Sequence, residues 1–177
     1  MEEEHPLSKF SHCPVCGSTP FEVDSVKSKT CRTCGFTYFA NPSAATAAFI
    51  LRGDCLLVVR RAKEPAKGTL DLPGGFVDMD ETVEEGMRRE IREETGLVAR
   101  NLRYLFSQPN LYQYSGMGIH TLDMFFCAEV DADAVPCADD DAAAIQWIPL
   151  SELQPAHFGL RSIRRGVEIF LSRQVKS

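Results

Sequence analysis

Three carboxylates that lie close together in the sequence could bind a divalent metal ion. They are Glu90, Glu93 and Glu94. If residues 82–95 form a helix, spacings of three and four residues place like charges on one face, where they repel each other. The carboxyl end of a helix also disfavours negative charge. A hard cation such as Mg²⁺ or Mn²⁺ would relieve both effects, because such ions prefer oxygen ligands. A solvated helix face neutralised by arginines is the alternative.

Four cysteines have the spacing of a zinc site. Two Cys-x-x-Cys-Gly segments supply Cys13, Cys16, Cys31 and Cys34. Four thiolates on two such turns suit tetrahedral Zn²⁺, and a filled coordination shell makes the zinc structural rather than catalytic. We therefore predict a zinc ribbon over residues 9–40, with two short strands between Phe21 and Thr30, inside a first domain of residues 1–40. Buried free cysteines or a redox pair fit two such repeats less well.

The elements that must position these groups follow from periodicity and turn residues. Thr82 and Glu85 form a capping box at the start of the predicted helix, and Gly96 can end it. Apolar runs predict strands, and helical spacing predicts a closing helix over residues 160–171. The predicted strands cover residues 44–51, 55–59, 70–72, 97–106, 119–130 and 145–148. Because strands and helices mix without strict alternation, we expect an α/β fold with a mixed sheet in a second domain, residues 41–177.

Composition narrows the class of protein. The chain has 177 residues and a formal net charge of −6, which argues against a broad nucleic-acid-binding surface. No apolar stretch is long enough to cross a membrane, and the acidic start of the chain does not fit a secretory signal. We expect a small cytoplasmic enzyme with no membrane partner. The remaining cysteines have no ligand spacing, and Cys55 and Cys127 are predicted to lie in the core.

A longer motif surrounds the acidic helix. Gly75, five residues, Glu81, seven residues and then the segment 89–97 (Arg-Glu-Ile-Arg-Glu-Glu-Thr-Gly-Leu) fill every fixed position of the Nudix box, G-x5-E-x7-R-E-U-x-E-E-x-G-U with U aliphatic. The chain therefore resembles the Nudix hydrolase family. The resemblance implies the Nudix fold, a mixed β-sheet between helices. It also implies hydrolysis of a nucleoside diphosphate linked to another moiety.

A second stretch resembles the NADH pyrophosphatase branch of that family. That branch has a four-cysteine zinc ribbon before the catalytic domain and the sequence S-Q-P-W-P-F-P-x-S after the box. Here residues 107–115 begin with Ser-Gln-Pro and end with serine, but Tyr112 replaces the phenylalanine, and the tryptophan and both later prolines are missing. The resemblance covers about residues 13–150. It implies NAD(H) as the lead substrate, with AMP and nicotinamide mononucleotide as products. ADP-ribose, FAD and NAD-capped RNA are the substrate alternatives.

The resemblance assigns roles to residues of the box. Glu90 and Glu94 would bind Mg²⁺ or Mn²⁺, assisted by the Gly75 carbonyl oxygen. Arg89 would pair with Glu81 and hold the end of the helix in register. Glu93 would be a further metal ligand or the general base.

Other contacts are less closely tied to the box. Members of the branch usually have another acidic metal ligand six residues before the tryptophan of a late strand. The resemblance therefore implies Asp141, six residues before Trp147, with a solvated acidic loop as the alternative. Gln108, Tyr112 and Tyr114 would contact the dinucleotide or nucleotide-sugar substrate, because an aromatic ring can stack on a base. Packing or a solvent-exposed loop is the alternative for both tyrosines. Arg60, Arg61 and Lys67 could meet phosphates or form a solvated face. Because homodimers are common in this branch, a homodimer is a further expectation. A non-catalytic nucleotide-sensing module with the Nudix fold is the alternative to an enzyme.

Overall fold

The computed structural model describes residues 5–137 and 142–174. The chain forms two compact units, and the tip of a long hairpin is grouped with the N-terminal one. The first unit contains the residues up to Pro42 together with Leu111–His120, and the second contains Ser43–Asn110 and the residues from Thr121 onward. No helix among the described residues has both the length and the apolar character needed to span a membrane.

The first unit contains a three-stranded antiparallel sheet. Its strands, in sheet order, are β1 (Phe21–Ser25), β2 (Ser28–Cys31) and β3 (Thr37–Phe39). The first two are the short strands predicted between the cysteine pairs, and the third was not predicted. The buried apolar cluster is small: Cys13, Phe21 and Cys31, with Phe36 packed against it. A core of this size needs a cross-link such as a metal ion to be stable.

The second unit contains a six-stranded sheet and two long helices. Its elements are β4 (Ser43–Arg52), β5 (Cys55–Arg61), β6 (Leu70–Asp71), α1 (Val83–Thr95), β7 (Arg100–Tyr114), β8 (Met117–Glu129), β9 (Ala142–Pro149), two short 3-10 turns (Leu150–Glu152 and Pro155–His157) and α2 (Arg161–Gln174). Five strands lie in the order β6-β5-β4-β8-β7, and β9 pairs with β5. Strands β4 and β8 are parallel, whereas β5 is antiparallel to β4, β6 and β9. The predicted mixed sheet is confirmed.

The two helices cover opposite faces of this sheet. Alternate residues of β4 point to opposite sides, so Phe49 joins the apolar cluster that contains Val167 and Phe170 of α2. Ile50 joins the other cluster, which contains Met87 and Ile91 of α1. This sheet between two helices is the arrangement that the resemblance implies.

Some boundaries and one burial prediction were wrong. The predicted strand over 97–106 starts only at Arg100, because Leu97 and Ala99 pack beneath α1 instead of pairing with a strand. The same strand continues to Tyr114 through Pro109; as an edge strand it can accept a proline. The cysteines predicted to lie in the core, Cys55 and Cys127, are only half-buried.

Candidate active site

Helix α1 is fixed at both ends. The Thr82 hydroxyl oxygen accepts a hydrogen bond from the Glu85 backbone N–H, and the Glu85 carboxylate accepts one from the Thr82 N–H. Gly96 adopts a left-handed conformation with φ of 69° and ends the helix. Since the ends and the buried face are fixed, the directions in which Glu90 and Glu94 project from α1 are fixed too.

A glycine turn lies against the carboxylates of α1. The Gly74 backbone N–H donates a hydrogen bond of 2.9 Å to Glu94 Oε2. A Cβ atom added to Gly75 would lie 2.6 Å from the Glu90 carboxyl carbon and Oε1. The Gly75 carbonyl oxygen already accepts a hydrogen bond of 2.8 Å from the Thr46 N–H on β4, which anchors the turn to the sheet. The turn and both carboxylates therefore form one cradle.

Arg89 links the carboxylates of the box. Its Nη2 and Nε donate to the two oxygens of Glu81 at 2.6 and 3.2 Å, which is a bidentate pair. Its Nη1 donates to Glu90 Oε1 at 2.7 Å and to Glu93 Oε2 at 3.1 Å. Its Nη2 also donates to the Phe76 carbonyl oxygen at 3.0 Å. One guanidinium thus ties the last turns of α1 to the residues before the helix.

The electrostatics of the pair formed by Glu81 and Arg89 are those of a stable ion pair. The Arg89 hydrogen bonds, and then the Asp78 backbone N–H, hold the pKa of Glu81 below its usual value. The same carboxylate raises the pKa of Arg89. Both groups are therefore charged at neutral pH.

The two carboxylates of the cradle, Glu90 and Glu94, are electrostatically unfavourable when ionised. Burial raises the pKa of Glu90, although Arg89 opposes the shift. Burial raises the pKa of Glu94 to about 8, against the lowering effect of the Gly74 N–H, and the charges of Glu90 and Asp71 raise it further. Two crowded, partly desolvated carboxylates of this kind favour a proton or a cation between them.

Not every predicted ligand joins this cradle. The Glu93 side chain is 59% exposed and bonds to Arg89. Within residues 5–137 and 142–174, the four cysteines are the group whose ligand atoms all lie within 4.8 Å of one another. The predicted ligand Asp141 lies outside the described residues.

Two buried acids were missed by the sequence reasoning. Asp71, at 6% exposure, pairs with Arg61 through an Nη1–Oδ2 contact of 2.5 Å and accepts a bond from the Leu72 N–H. Burial raises its pKa in spite of Arg61. The signal in the sequence was a single acid between Leu70 and Leu72, shortly before the glycine turn. Asp71 lies close enough to Glu94 to raise the pKa of that carboxylate.

The second missed acid, Asp123, lies on β8 at 7% exposure. The hydroxyl groups of Thr121 and Ser162 donate hydrogen bonds to it, and the Asn110 side-chain amide donates another at 3.2 Å. Its signal was an acid between two apolar residues, Leu122 and Met124, of a predicted strand. These bonds attach the start of α2 to the sheet.

The three predicted substrate contacts belong to different units. Gln108 lies in the second unit and lines a cavity at the start of α2. Tyr112 is half-buried and Tyr114 is exposed. Both tyrosines belong to the hairpin tip in the first unit.

The four cysteines of the first unit are close enough to share one ion. Cys13 Sγ lies 3.7 Å from Cys34 Sγ, and Cys16 Sγ lies 3.7 Å from Cys31 Sγ. A tetrahedron with Zn–S distances of about 2.3 Å has S–S edges of about 3.8 Å. The donor set and its spacing are therefore compatible with a zinc ribbon.

The crowding of these thiols shifts the pKa values of two of them in opposite directions. The Ser18 hydroxyl, followed by the Cys34 backbone N–H, lowers the pKa of Cys31 to about 6. The Phe36 N–H lowers the pKa of Cys34, but desolvation and the neighbouring thiols outweigh it and raise the value to about 12. Crowded thiols of this kind cannot all ionise unless a cation neutralises them.

Two curated proteins are similar to this chain in sequence. The chain is 28% identical over 161 residues to the NAD-capped RNA hydrolase NudC of Haemophilus influenzae strain PittGG, an alignment that covers 88% of this chain and 59% of that protein. It is 32% identical over 125 residues to the ADP-ribose pyrophosphatase of Methanocaldococcus jannaschii, covering 70% of this chain and 71% of that protein. The chain thus spans less than two thirds of the length of the NudC relatives.

A solved structure and a family model extend the comparison. The crystal structure of a NUDIX hydrolase from Nitrosomonas europaea matches with a TM-score of 0.71 at 20% identity, covering 94% of this chain and 93% of that one, which supports the fold. The family model of the NUDIX domain matches residues 41–167, well over half of the chain. Because that match contains the complete box and the cradle built from it, the chain belongs to the Nudix hydrolase family.

Proposed function

We propose that this chain hydrolyses the pyrophosphate bond of a dinucleotide, with NAD(H) as the lead substrate and AMP and nicotinamide mononucleotide as products. The observation that carries the proposal is the cradle in which Gly74 and Gly75 hold the carboxylates of Glu90 and Glu94. The cradle belongs to a chain of the Nudix hydrolase family with every fixed position of the box filled.

The donor set fits a hard divalent cation. The Gly75 carbonyl, Glu90 and Glu94 supply oxygen atoms. Burial, and after it the charges of neighbouring acids, raises the pKa of both carboxylates. We propose that these groups hold Mg²⁺ or Mn²⁺, with Asp141 as a further ligand. When bound, such an ion neutralises the pyrophosphate and lowers the pKa of a bound water.

The remaining residues of the box have distinct tasks in this proposal. Arg89 keeps Glu90 in place through its simultaneous bonds to Glu81 and Glu90. Glu93 is the candidate for the general base, because its exposed carboxylate can reach solvent water. Its single hydrogen bond to Arg89, at 3.1 Å, is the longer of the two that Arg89 Nη1 donates. A conservative exchange of Glu93 should therefore lower kcat with little change in KM.

Three observations support NAD(H) as the lead substrate. The chain contains Ser-Gln-Pro after the box, the cysteines are compatible with a ribbon before it, and the Haemophilus relative is named as an NAD-capped RNA hydrolase. NAD-capped RNA is therefore a substrate variant of the same proposal. ADP-ribose is the second candidate, because the Methanocaldococcus relative is named as an ADP-ribose pyrophosphatase. Because every fixed position of the Nudix box is filled, an enzyme is favoured over a module that only senses nucleotides.

Product analysis tests the proposal. NADH, NAD⁺, ADP-ribose, FAD and a short NAD-capped RNA are each incubated with the protein in Mg²⁺ and in Mn²⁺, and products are separated by chromatography. We expect AMP and nicotinamide mononucleotide from NADH, and loss of all turnover in the Glu94→Gln variant. Equal slow turnover of every substrate would contradict the proposed preference for NAD(H). Tight ADP-ribose binding without any turnover would favour the sensing module instead.

We also propose that the four cysteines bind one structural Zn²⁺ in a first domain of residues 1–40, followed by a Nudix domain of residues 41–177. The 3.7 Å separations between paired sulfur atoms support this. Metal analysis of the purified protein should find about one zinc per chain. A protein that folds and is active with no zinc would contradict the proposal.

A further inference from the structure

The solvent face at the start of α2 is strongly basic in an acidic chain. Arg161, Arg164 and Arg165 lie within the first five residues of this helix, whose first turn contains no acid, although the whole chain has a net charge of −6. Spacings of three and four residues bring the like charges together. The amino end of a helix also disfavours positive charge. The cluster therefore destabilises its own helix.

These arginines line a cavity. The cavity has a volume of about 340 Å³, and Gln108 of β7 and Ser162 and Glu168 of α2 also line it. That volume lies in the range of about 300–1,000 Å³ that is usual for small-molecule sites. We call this cavity the α2 pocket.

The arginines of the α2 pocket keep much of their donor capacity. The Arg161 side chain makes no hydrogen bond or ion pair with any residue in the described part of the chain. Arg164 uses its Nε atom on the Phe158 carbonyl oxygen. Arg165 pairs with Glu168 at 2.8 Å, but both side chains are exposed, so this pair is weak and easily exchanged.

The base of the α2 pocket is rigid. The Ser162 hydroxyl donates its hydrogen bond to the buried carboxylate of Asp123 on β8. Thr121 and Asn110 donate to the same carboxylate. The first turn of α2 is therefore anchored to the sheet, and the arginines project from a fixed backbone.

We propose that the α2 pocket binds a phosphate group of a nucleotide chain. Guanidinium groups bind phosphate through charge-assisted, often bidentate, hydrogen bonds. The Gln108 amide donates one N–H to the Ser107 carbonyl oxygen at 2.9 Å and has a second N–H as a neutral donor. A bound phosphate would also remove the repulsion among the three arginines. This site is separate from the cradle of Glu90 and Glu94, so it stands whether or not the proposed substrate is correct.

The chain offers a matched control for a test. Arg165 pairs with Glu168, and Arg100 pairs with Asp131, both at 2.8 Å and both with the arginine side chain 62% exposed. Arg165→Gln and Arg100→Gln therefore remove the same charge from equivalent surface pairs. Arg165 lines the α2 pocket, and Arg100 does not.

The experiment measures binding of two probes in buffer without added Mg²⁺ or Mn²⁺, so that the proposed structural zinc stays in place. The probes are inorganic phosphate, followed by NMR shifts of the Gln108 side-chain amide, and a six-nucleotide RNA, followed by fluorescence anisotropy. We expect Arg165→Gln to weaken binding of the RNA about ten-fold and Arg100→Gln to change it less than two-fold. Weakened binding of both probes shows that the pocket accepts a phosphate from either source, and weakened RNA binding alone assigns it to a nucleic-acid backbone. Equal effects of the two variants on the RNA, or no binding of either probe, would overturn the proposal.

Discussion

Replacement of Gly75 by alanine tests whether the cradle sets the position of Glu90. The added Cβ would lie 2.6 Å from the Glu90 carboxyl carbon and Oε1, and 2.7 Å from Oε2, whereas ordinary contact begins at 3.4 Å. The carboxylate must therefore retreat by about 0.8 Å. A misplacement of about 1 Å in a reacting site can cost about 10²-fold in rate. We expect kcat for NADH to fall about 100-fold.

The stability of this variant should change little. The nearest atoms are the end of a flexible side chain, not backbone, so Glu90 can move by rotation. Gly53→Ala is the opposite control: its Cβ would meet nothing within 4 Å, but its φ of +58° disfavours a side chain. It should lose about 1–2 kcal/mol of unfolding free energy and keep its activity, because about six residues of β4 separate this turn from Thr46.

Steady-state kinetics and urea unfolding of both variants measure these effects. We expect Gly75→Ala to lose activity but little stability, and Gly53→Ala to lose stability but little activity. If Gly75→Ala keeps kcat within two-fold of the unmodified protein, Glu90 is not held by the glycine turn and the proposed role of the cradle is wrong. A large loss of stability in Gly75→Ala would show that the turn has a structural role instead.

Three more predictions follow from the structure. Because the fold raises the pKa of Glu94 from 4.5 to about 8, the protonated form is favoured in the folded state. Without added Mg²⁺ or Mn²⁺, the unfolding free energy should therefore fall as pH rises from about 4.5 to 8, and Glu94→Gln should flatten this slope in urea titrations. Thr82→Ala removes the cap of α1 and should cost about 1 kcal/mol of unfolding free energy. Ser172→Ala, on an exposed site of α2, is the control and should cost less. Equal losses of unfolding free energy would refute the role of the cap. Cys34→Ser should release zinc, measured with a colorimetric chelator, and lower the protection of β1 and β2 amides from hydrogen exchange; unchanged protection would show that the ribbon does not depend on metal.

Helix α1 could be predicted from the sequence because all its determinants are local. The capping box, the apolar spacing of Met87 and Ile91, and the final Gly96 all lie within fifteen residues and agree with one another. The ribbon strands between the cysteine pairs were predictable for the same reason. The metal roles of Glu90 and Glu94 rested on the spacing of the box, and they remain proposals.

The buried acids could not be predicted because their burial depends on the order of strands. Asp71 and Asp123 lie on β6 and β8, which are separated in the sheet by β5 and β4. Only this arrangement brings Arg61 to Asp71 and Ser162 to Asp123. Local sequence shows an acid among apolar residues but does not reveal which residue will compensate it.

The helix dipole rule applies both to the carboxyl end of α1 and to the amino end of α2. Carboxylates at the carboxyl end of α1 oppose the helix dipole, and that opposition indicated a cation site. Arginines at the amino end of α2 oppose it equally, yet the sequence reasoning used α2 only for its apolar spacing. The rule becomes informative when the charges also line a cleft, because a solvated helix end can carry such charges at small cost. The glycine turn provides that condition for Glu90 and Glu94, and the α2 pocket provides it for the arginines.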